Sequence, residues 1–378
     1  MMSYDYIPKA KQNPKYYYID NDLLIYPDAW IYIIYSKRGP GKTYSVLDLC
    51  RRSGIKFVYL KRTIADVNNL CAGSGSPDGG TSKFALDLSP FKPINRDKGT
   101  DIRCFKINDG IAGFYDVEFD EEKQKYYPVG APYGYVFAVS AIAKYKGFNL
   151  DDCDVMIYDE FIPQLWERIS RTEGQAVLSF YNTVTRDRIK RGLPEIKLIC
   201  LANATQVSNQ LFDCLELIDN VVDMELKRKK YFYDSYRGIM IHKIMDEEFP
   251  EAIKEAMTGI ERATQGTRFA QVEYGGDFAY DNIHVINKPS MREYKPLCSF
   301  KHQTTTYYCY RKSGKIFISR IHHDSVKHFD LNDDIQCVQF WNQYGFDFRI
   351  ALFEDKVDVD CYSAYNVIYN YKKIYNVA

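Results

Sequence analysis

The sequence predicts an α/β protein in three parts: a domain built on a mostly parallel sheet, a helical linker, and a smaller α+β domain. Three observations carry that reading. Short apolar runs rich in Val, Ile and Tyr alternate with helix-patterned segments through the first half of the chain. The composition turns basic near Asp223, and the last part reads as a hairpin followed by a helix. The boundaries these shifts suggest are 1–222, 223–280 and 281–378.

Five strands are expected in the first domain: "WIYIIY" (30–35), "KFVYL" (56–60), "YVFAVS" (135–140), "DVMIYD" (154–159) and "IKLICLA" (196–202). After the first of them, "YSVLDLCRRSG" sets Val46, Leu49 and Cys50 on one helical side and stops at Gly54. The segment 100–134 has turn signals at Asn108-Asp109-Gly110 and reads as a hairpin or meander lying outside the main sheet. "MELKRKKYFYDSYRG" and an amphipathic helix after Pro250 suggest the linker. "HQTTTYYCYRKSGKIFISRIHH" reads as a hairpin turning at Ser313-Gly314, and "SAYNVIYNYKKIYNVA" as a terminal helix.

Composition sets outer limits. The 378 residues are 46% hydrophobic and 26% charged, ordinary for a globular chain with a sizeable core. No apolar run is long enough to cross a bilayer, so no membrane partner is expected. The ten cysteines form no CxxC pair, which argues against a zinc ribbon or disulfide framework and suits a reducing cytoplasm. Lys+Arg and Asp+Glu balance at 50 each, so any polyanion-binding face must come from local clustering. The 33 tyrosines fit AT-rich codon usage and packing before any base-stacking role.

The chemistry gathers at strand ends. "SKRGPGKT" (36–43) follows an apolar strand and opens a helix, the context of a phosphate-binding loop. There Gly39 and Gly41 free backbone N–H groups for phosphates, Lys42 reaches the terminal phosphates and the Thr43 hydroxyl binds Mg²⁺. Pro40 is tolerable in the tight turn. Ser36 replaces the usual first glycine, which should limit left-handed geometry at that point. "DVMIYDE" ends a second strand in carboxylates: Asp159 to hold Mg²⁺, Glu160 to activate water. The alternative is that the two acids merely open a helix over "FIPQLWERIS". Asn203, at the tip of a third strand, is placed to sense a γ-phosphate or is an ordinary turn residue. "YNTVTRDRIKRG" supplies Arg186, Arg188, Lys190 and Arg191, either an arginine finger or a solvated helix end.

Together these motifs resemble the DNA-packaging ATPases of small podophages, of the Picovirinae/Salasmaviridae type. "SKRGPGKT" matches that family's G-x-R-G-x-G-K-[ST] loop, Arg38 included, except at Ser36; "IYDEFI" and "CLANA" match its acidic and sensor strands. The resemblance covers most of 25–215 and continues more weakly beyond. It implies a P-loop ASCE-type ATPase domain and a degenerate RNase H-like C-terminal domain. It places the trans-acting arginine on Arg186 in "VTRDR", a second trans-acting basic residue near Lys146 in "KYKGFN", and possible DNA contacts on Lys61 and Arg62. It implies ATP and Mg²⁺ as cofactors. The implied partners are double-stranded DNA, the portal (connector) and prohead, a packaging RNA, and a homo-oligomeric ring, a pentamer by resemblance. The implied setting is the host cytoplasm, with transient docking at the portal vertex.

Between Tyr294 and His323 no acidic residue occurs, while Lys295, Lys301, Arg311, Lys312, Lys315 and Arg320 do. A two-metal nuclease needs clustered carboxylates, so nuclease activity is not expected and phosphate binding is. His322-His323-Asp324 lacks a further ligand at metal-site spacing. Two other functions compete with the translocase: a nucleoside kinase, disfavoured by the missing CxxC set, and a nucleic-acid-binding scaffold with a vestigial phosphate loop.

Overall fold

The computed structural model describes residues 4–71, 77–145, 150–164, 167, 170, 172–186, 188–249, 258–267, 270, 278, 286–324 and 327–374. The chain forms two compact units: Met1–Glu167 with Gln175–Thr205 and Lys229–Phe278, and Arg168–Gly174 with Gln206–Arg228 and Ala279–Ala378.

The first unit opens with α1 (Ile19–Ile25), β1 (Ile31–Ser36), α2 (Lys42–Arg52), β2 (Phe57–Lys61) and α3 (Ile64–Leu70). Then come β3 (Thr81–Ser82), α4 (Lys92–Lys98), β4 (Ile102–Asn108), β5 (Ile111–Asp120), β6 (Lys125–Ala138) and β7 (Val155–Asp159). Next are α5 (Glu173–Thr185), β8 (Lys197–Asn203), α6 (Gln210–Cys214), α7 (Ile218–Leu226), β9 (Tyr231–Asp234), β10 (Ile239–Lys243) and α8 (Gly259–Thr264); α6 and α7 belong to the second unit.

The large sheet runs β4-β5-β6-β2-β7-β8-β1-β10-β9, with β3 beside β6. From β6 to β10 every neighbouring pair is parallel. All six residues of β1 are buried, as are all five of β7, because helices cover both faces of a parallel sheet. The apolar runs of the sequence are the strands of this core. α2 buries Val46, Leu47, Leu49 and Cys50 and is followed by Gly54 at a φ of +61°, the expected stop.

Two expectations are corrected. The meander over 100–134 lies in the main sheet, not outside it: β6 is a long strand that pairs antiparallel with β5 in both its halves and whose last residues, from Gly134 to Ala138, also pair in parallel with β2. The expected linker also gives up its first part, because β9 and β10 extend the main sheet beyond β1. "YFYD" and "IMIHK" carry the aromatic and β-branched residues of strands, and the neighbouring basic run concealed this. The amphipathic helix expected after Pro250 falls mostly outside the described residues; within them, α8 begins at a Thr258–Glu261 capping box.

In the second unit a sheet ordered β14-β11-β12-β13-β15 combines β11 (Lys295–His302), β12 (Thr305–Lys312), β13 (Lys315–Ser319), β14 (His328–Asp330) and β15 (Val357–Val359). α9 (Asp334–Phe353) and α10 (Tyr362–Ile374) complete this smaller α+β unit. The β12–β13 turn sits at Ser313-Gly314, with φ values of +47° and +80°, as its residues require. α6, α7 and the turn between them supply acids that this unit satisfies: Asp213 accepts from His302 at 2.8 Å, Glu216 from Thr304 at 2.6 Å, and Asp219 from Ser363 at 2.7 Å.

The β6–β2 seam allows no side chain at Gly134. A Cβ there would lie 2.6 Å from the Phe57 carbonyl oxygen and 2.7 Å from its ring. Gly134→Ala is expected to cost about 1–3 kcal/mol by overpacking, read as a lower urea midpoint at unchanged slope.

Candidate active site

Lys42 is the first residue of α2, and the preceding Gly41 has a φ of +84°. Gly39, at +105°, is also in the region that disfavours a side chain. The Lys42 ammonium is buried against three neutral oxygens: Ser36 Oγ at 2.7 Å, the Lys37 carbonyl at 3.1 Å and Asn203 Oδ1 at 3.2 Å. Among the described residues no carboxylate forms an ion pair with it. Burial pushes its pKa down to about 8, Asp159 opposes the shift and Arg38 adds to it.

Ser36 therefore has a specific place. It ends β1 as ordinary strand, outside the positive-φ residues, so the expected limit on left-handed geometry does not arise. It stands opposite Asn203 in the β1–β8 register, which brings both side chains to the same lysine.

The acidic strand β7 is not next to β1; β8 lies between them, the order of the ASCE class. Thr43 Oγ1 donates to Asp159 Oδ1 at 3.0 Å, joining the loop to the acidic strand. The other Asp159 oxygen accepts from the buried Tyr59 hydroxyl of β2, whose pKa is driven well up by burial and by Asp159. Sequence reading did not single out Tyr59. Its signal, a tyrosine inside an apolar strand, is indistinguishable from the other packed tyrosines.

Glu160 has a φ of +58°, a strained value for a non-glycine residue. The described residues after it, 161–164, are not helical, so Asp159 and Glu160 do not open a helix. The Glu160 carboxylate is held by Lys61 at 2.9 Å, which also lies 3.5 Å from Asp159. Lys61 is the first cause of a Glu160 pKa below the usual carboxylate value, while burial works the other way. Burial alone would lower the Lys61 pKa, but Asp159 and Glu160 outweigh it and raise it. Arg62 donates to the carbonyls of Glu160 and Phe161 at 3.0 and 3.1 Å and pairs with Glu167. Lys61 and Arg62, where DNA contacts are expected, are drawn in by the site's own carboxylates and carbonyls, which leaves their side chains 13% and 11% exposed.

The basic run after α5 separates into distinct environments. Arg188 is buried, donating to the carbonyls of Asp151, Cys153 and Pro194 and to the Asp154 carboxylate. Arg191 pairs with Asp151 at 2.5 Å. Arg186 lies on an exposed turn and has no side-chain partner among the described residues. Lys146 lies outside the described residues. Arg38 is exposed beside the loop, close enough to bear on both Lys42 and Glu160. In the second unit the basic hairpin is partly neutralised: Arg311 pairs with Asp347, Lys312 with Glu293 and Arg320 with Asp219.

A glycine-bearing loop with Lys42 and Thr43 at the end of β1, an acidic strand two positions over and a polar strand tip between them give the α/β unit the strand order of the ASCE arrangement. The chain belongs to the podovirus DNA encapsidation protein (Gp16) family, whose sequence pattern it matches over residues 98–372. Its fold is similar to the solved Phi-28 gp11 DNA packaging motor, at 15% identity, a TM-score of 0.58, and coverage of 97% of this chain and 99% of that one. It is similarly close to a chain of the bacteriophage Phi-29 viral genome packaging motor assembly, at 18% identity, a TM-score of 0.58, and coverage of 95% and 99%. No curated protein matches it.

Two outcomes follow from these geometries. Below about pH 8 the Lys42 charge is already present; above it, bound phosphate must restore the proton. ATP binding at pH 8.5, a value chosen ~0.5 above that pKa, should therefore take up protons, seen as a buffer-dependent enthalpy in calorimetry, and affinity should fall with further rise in pH. Lys61→Ala should let the Glu160 pKa rise, moving the acid limb of the ATPase pH–rate profile to higher pH.

Proposed function

We propose that this encapsidation-family chain is the ATP-hydrolysing subunit of a ring that drives double-stranded DNA into a phage prohead. The observation that carries the reading is the meeting of Lys42, Thr43, Asp159, Glu160 and Asn203 at the ends of adjacent strands, where α/β sheets bind ligands. Lys42 would exchange its neutral oxygens for the terminal phosphates, and the loop amides freed by Gly39 and Gly41 would surround them. Arg38, beside the loop, adds positive charge at the same place.

The Thr43 hydroxyl and Asp159 carboxylate are hard oxygen donors already together, which suits Mg²⁺ completed by phosphate oxygens and water. When bound, Mg²⁺ neutralises charge on the phosphates. Glu160, kept ionised by Lys61, is the general base for the attacking water once that ion pair opens. Asn203, shared between the sensor strand and Lys42, registers the γ-phosphate. Arg186 acts on the nucleotide of a neighbouring subunit, which makes hydrolysis at each site depend on the next copy around the ring.

The Phi-29 relative's place in a genome packaging motor assembly supports portal and prohead as partners. A pentameric ring, a packaging RNA, and docking at the portal vertex within the host cytoplasm belong to the same reading. Of the basic hairpin, Lys295 and Lys315 are exposed and are the candidates for phosphate contact in the second unit. The scaffold alternative is weakened because Ser36, its best support, forms part of the lysine's site.

The test is ATP hydrolysis with and without duplex DNA. Duplex should stimulate it, and Glu160→Gln should lower kcat by about 10²–10⁴-fold with ATP binding retained. Arg186→Ala and Lys42→Ala proteins, each inactive alone, should regain hydrolysis when mixed, because mixed interfaces unite an intact loop with an intact arginine. A folded wild-type multimer without hydrolysis under any condition would return the scaffold reading.

A further inference from the structure

The carboxylates and Asn203 account for the terminal-phosphate end of the site. A cleft of about 420 Å³ lies beside the loop at Gly41. Gly41, Tyr44 and Ser45 line it, whereas Ser36, Asp159, Glu160 and Asn203 do not. Its size falls within the ~300–1,000 Å³ of small-molecule sites. A triphosphate anchored at Lys42 and running along the start of α2 would deliver whatever it carries into this cleft.

The cleft has an aromatic wall supplied by the segment ahead of α1. That segment is tied to the loop on both sides of Tyr16: the Tyr17 N–H donates to the Pro40 carbonyl at 2.9 Å, and the Ile19 N–H to Ser45 Oγ at 2.7 Å. Tyr16 Cδ1 sits 3.6 Å from where a Gly41 Cβ would be, and the residue is 48% exposed. An aromatic ring pinned beside a phosphate loop with half its surface bare is pre-ordered for a flat partner. Opposite, burial, then Asp48 and Asp97, raise the Tyr44 pKa, and Asp97 accepts from Arg96 at 2.8 Å. Asp97 is thus engaged by Arg96, and Tyr16 adds a half-exposed aromatic side chain to the lining of the cleft.

We propose that the nucleoside half of the substrate lodges in this cleft with its base stacked on Tyr16. The proposal rests on the ATP reading of the loop. Recognition is led by stacking, and Tyr16 is a binding residue that leaves the chemical step alone.

The experiment compares full-length wild type, Tyr16→Ala, Tyr16→Phe and Lys42→Ala for affinity toward ATP, by fluorescent-analogue displacement, and toward inorganic tripolyphosphate, by calorimetry. Tyr16→Ala should weaken ATP about ten-fold or more, as loss of a base–aromatic stack does, and leave tripolyphosphate unchanged. Tyr16→Phe should stay within about two-fold of wild type, since the ring face is kept. Equal weakening of ATP and tripolyphosphate in Tyr16→Ala would make Tyr16 a prop for the loop and overturn the proposal. Unchanged ATP affinity in Tyr16→Ala, with both ligands lost in Lys42→Ala, would overturn the base cleft alone and leave the phosphate loop standing. ATP binding intact in Lys42→Ala would remove the loop reading and this proposal with it.

Discussion

A buried ammonium held only by neutral oxygens is the constraint on which the first unit turns. Lys42 is desolvated at the start of α2, and Ser36, the Lys37 carbonyl and Asn203 satisfy its hydrogens without neutralising its charge. Burial of an unpaired charge is unfavourable, and its depressed pKa records that. The arrangement is tolerable because the parallel register of β1 and β8 sets Ser36 and Asn203 side by side. The strands, the glycines of the loop and the polar strand tip together build a place that favours an anion.

Around that cation stands a second tier in which each reactive group is held by another. Asp159 is shared between Thr43 and Tyr59, Glu160 is held by Lys61, and Arg62 secures the backbone just past Glu160. α3 begins at a Thr63–Asp66 capping box directly after Arg62, so the end of β2 is held at both levels. The left-handed backbone of Glu160 turns its carboxylate back toward Lys61 in place of continuing the strand. Glu160 is charged and positioned, yet it is occupied by a cation; in the proposed hydrolysis, release from Lys61 is the step that would make it available as a base.

The second unit follows a different logic. Its basic hairpin is acid-free in sequence, but acids from α7, α9 and the segment ahead of β11 arrive in space: Asp219, Asp347 and Glu293. Local charge runs overstate the free positive surface when partners are distant in the chain. Surface pairs of this kind contribute little stability individually, about 0–1 kcal/mol, yet they decide which cations remain for phosphate.

Much of the first unit was legible from local rules. Fully buried parallel strands are continuous apolar runs, and a strand followed by glycines and Lys-Thr at a helix start has one main use, so Lys42, Thr43, Asp159, Glu160 and Asn203 could be picked out without coordinates. What tertiary structure decided were the relations between residues far apart in sequence. These include Lys61 pairing with Glu160 in place of facing outward, Tyr59 on Asp159, Arg188 buried while Arg186 is exposed, and the meander and β9–β10 joining the main sheet. Period and propensity report which residues a strand or helix buries. Only pairing across the sheet determines which side chains its ends bring together.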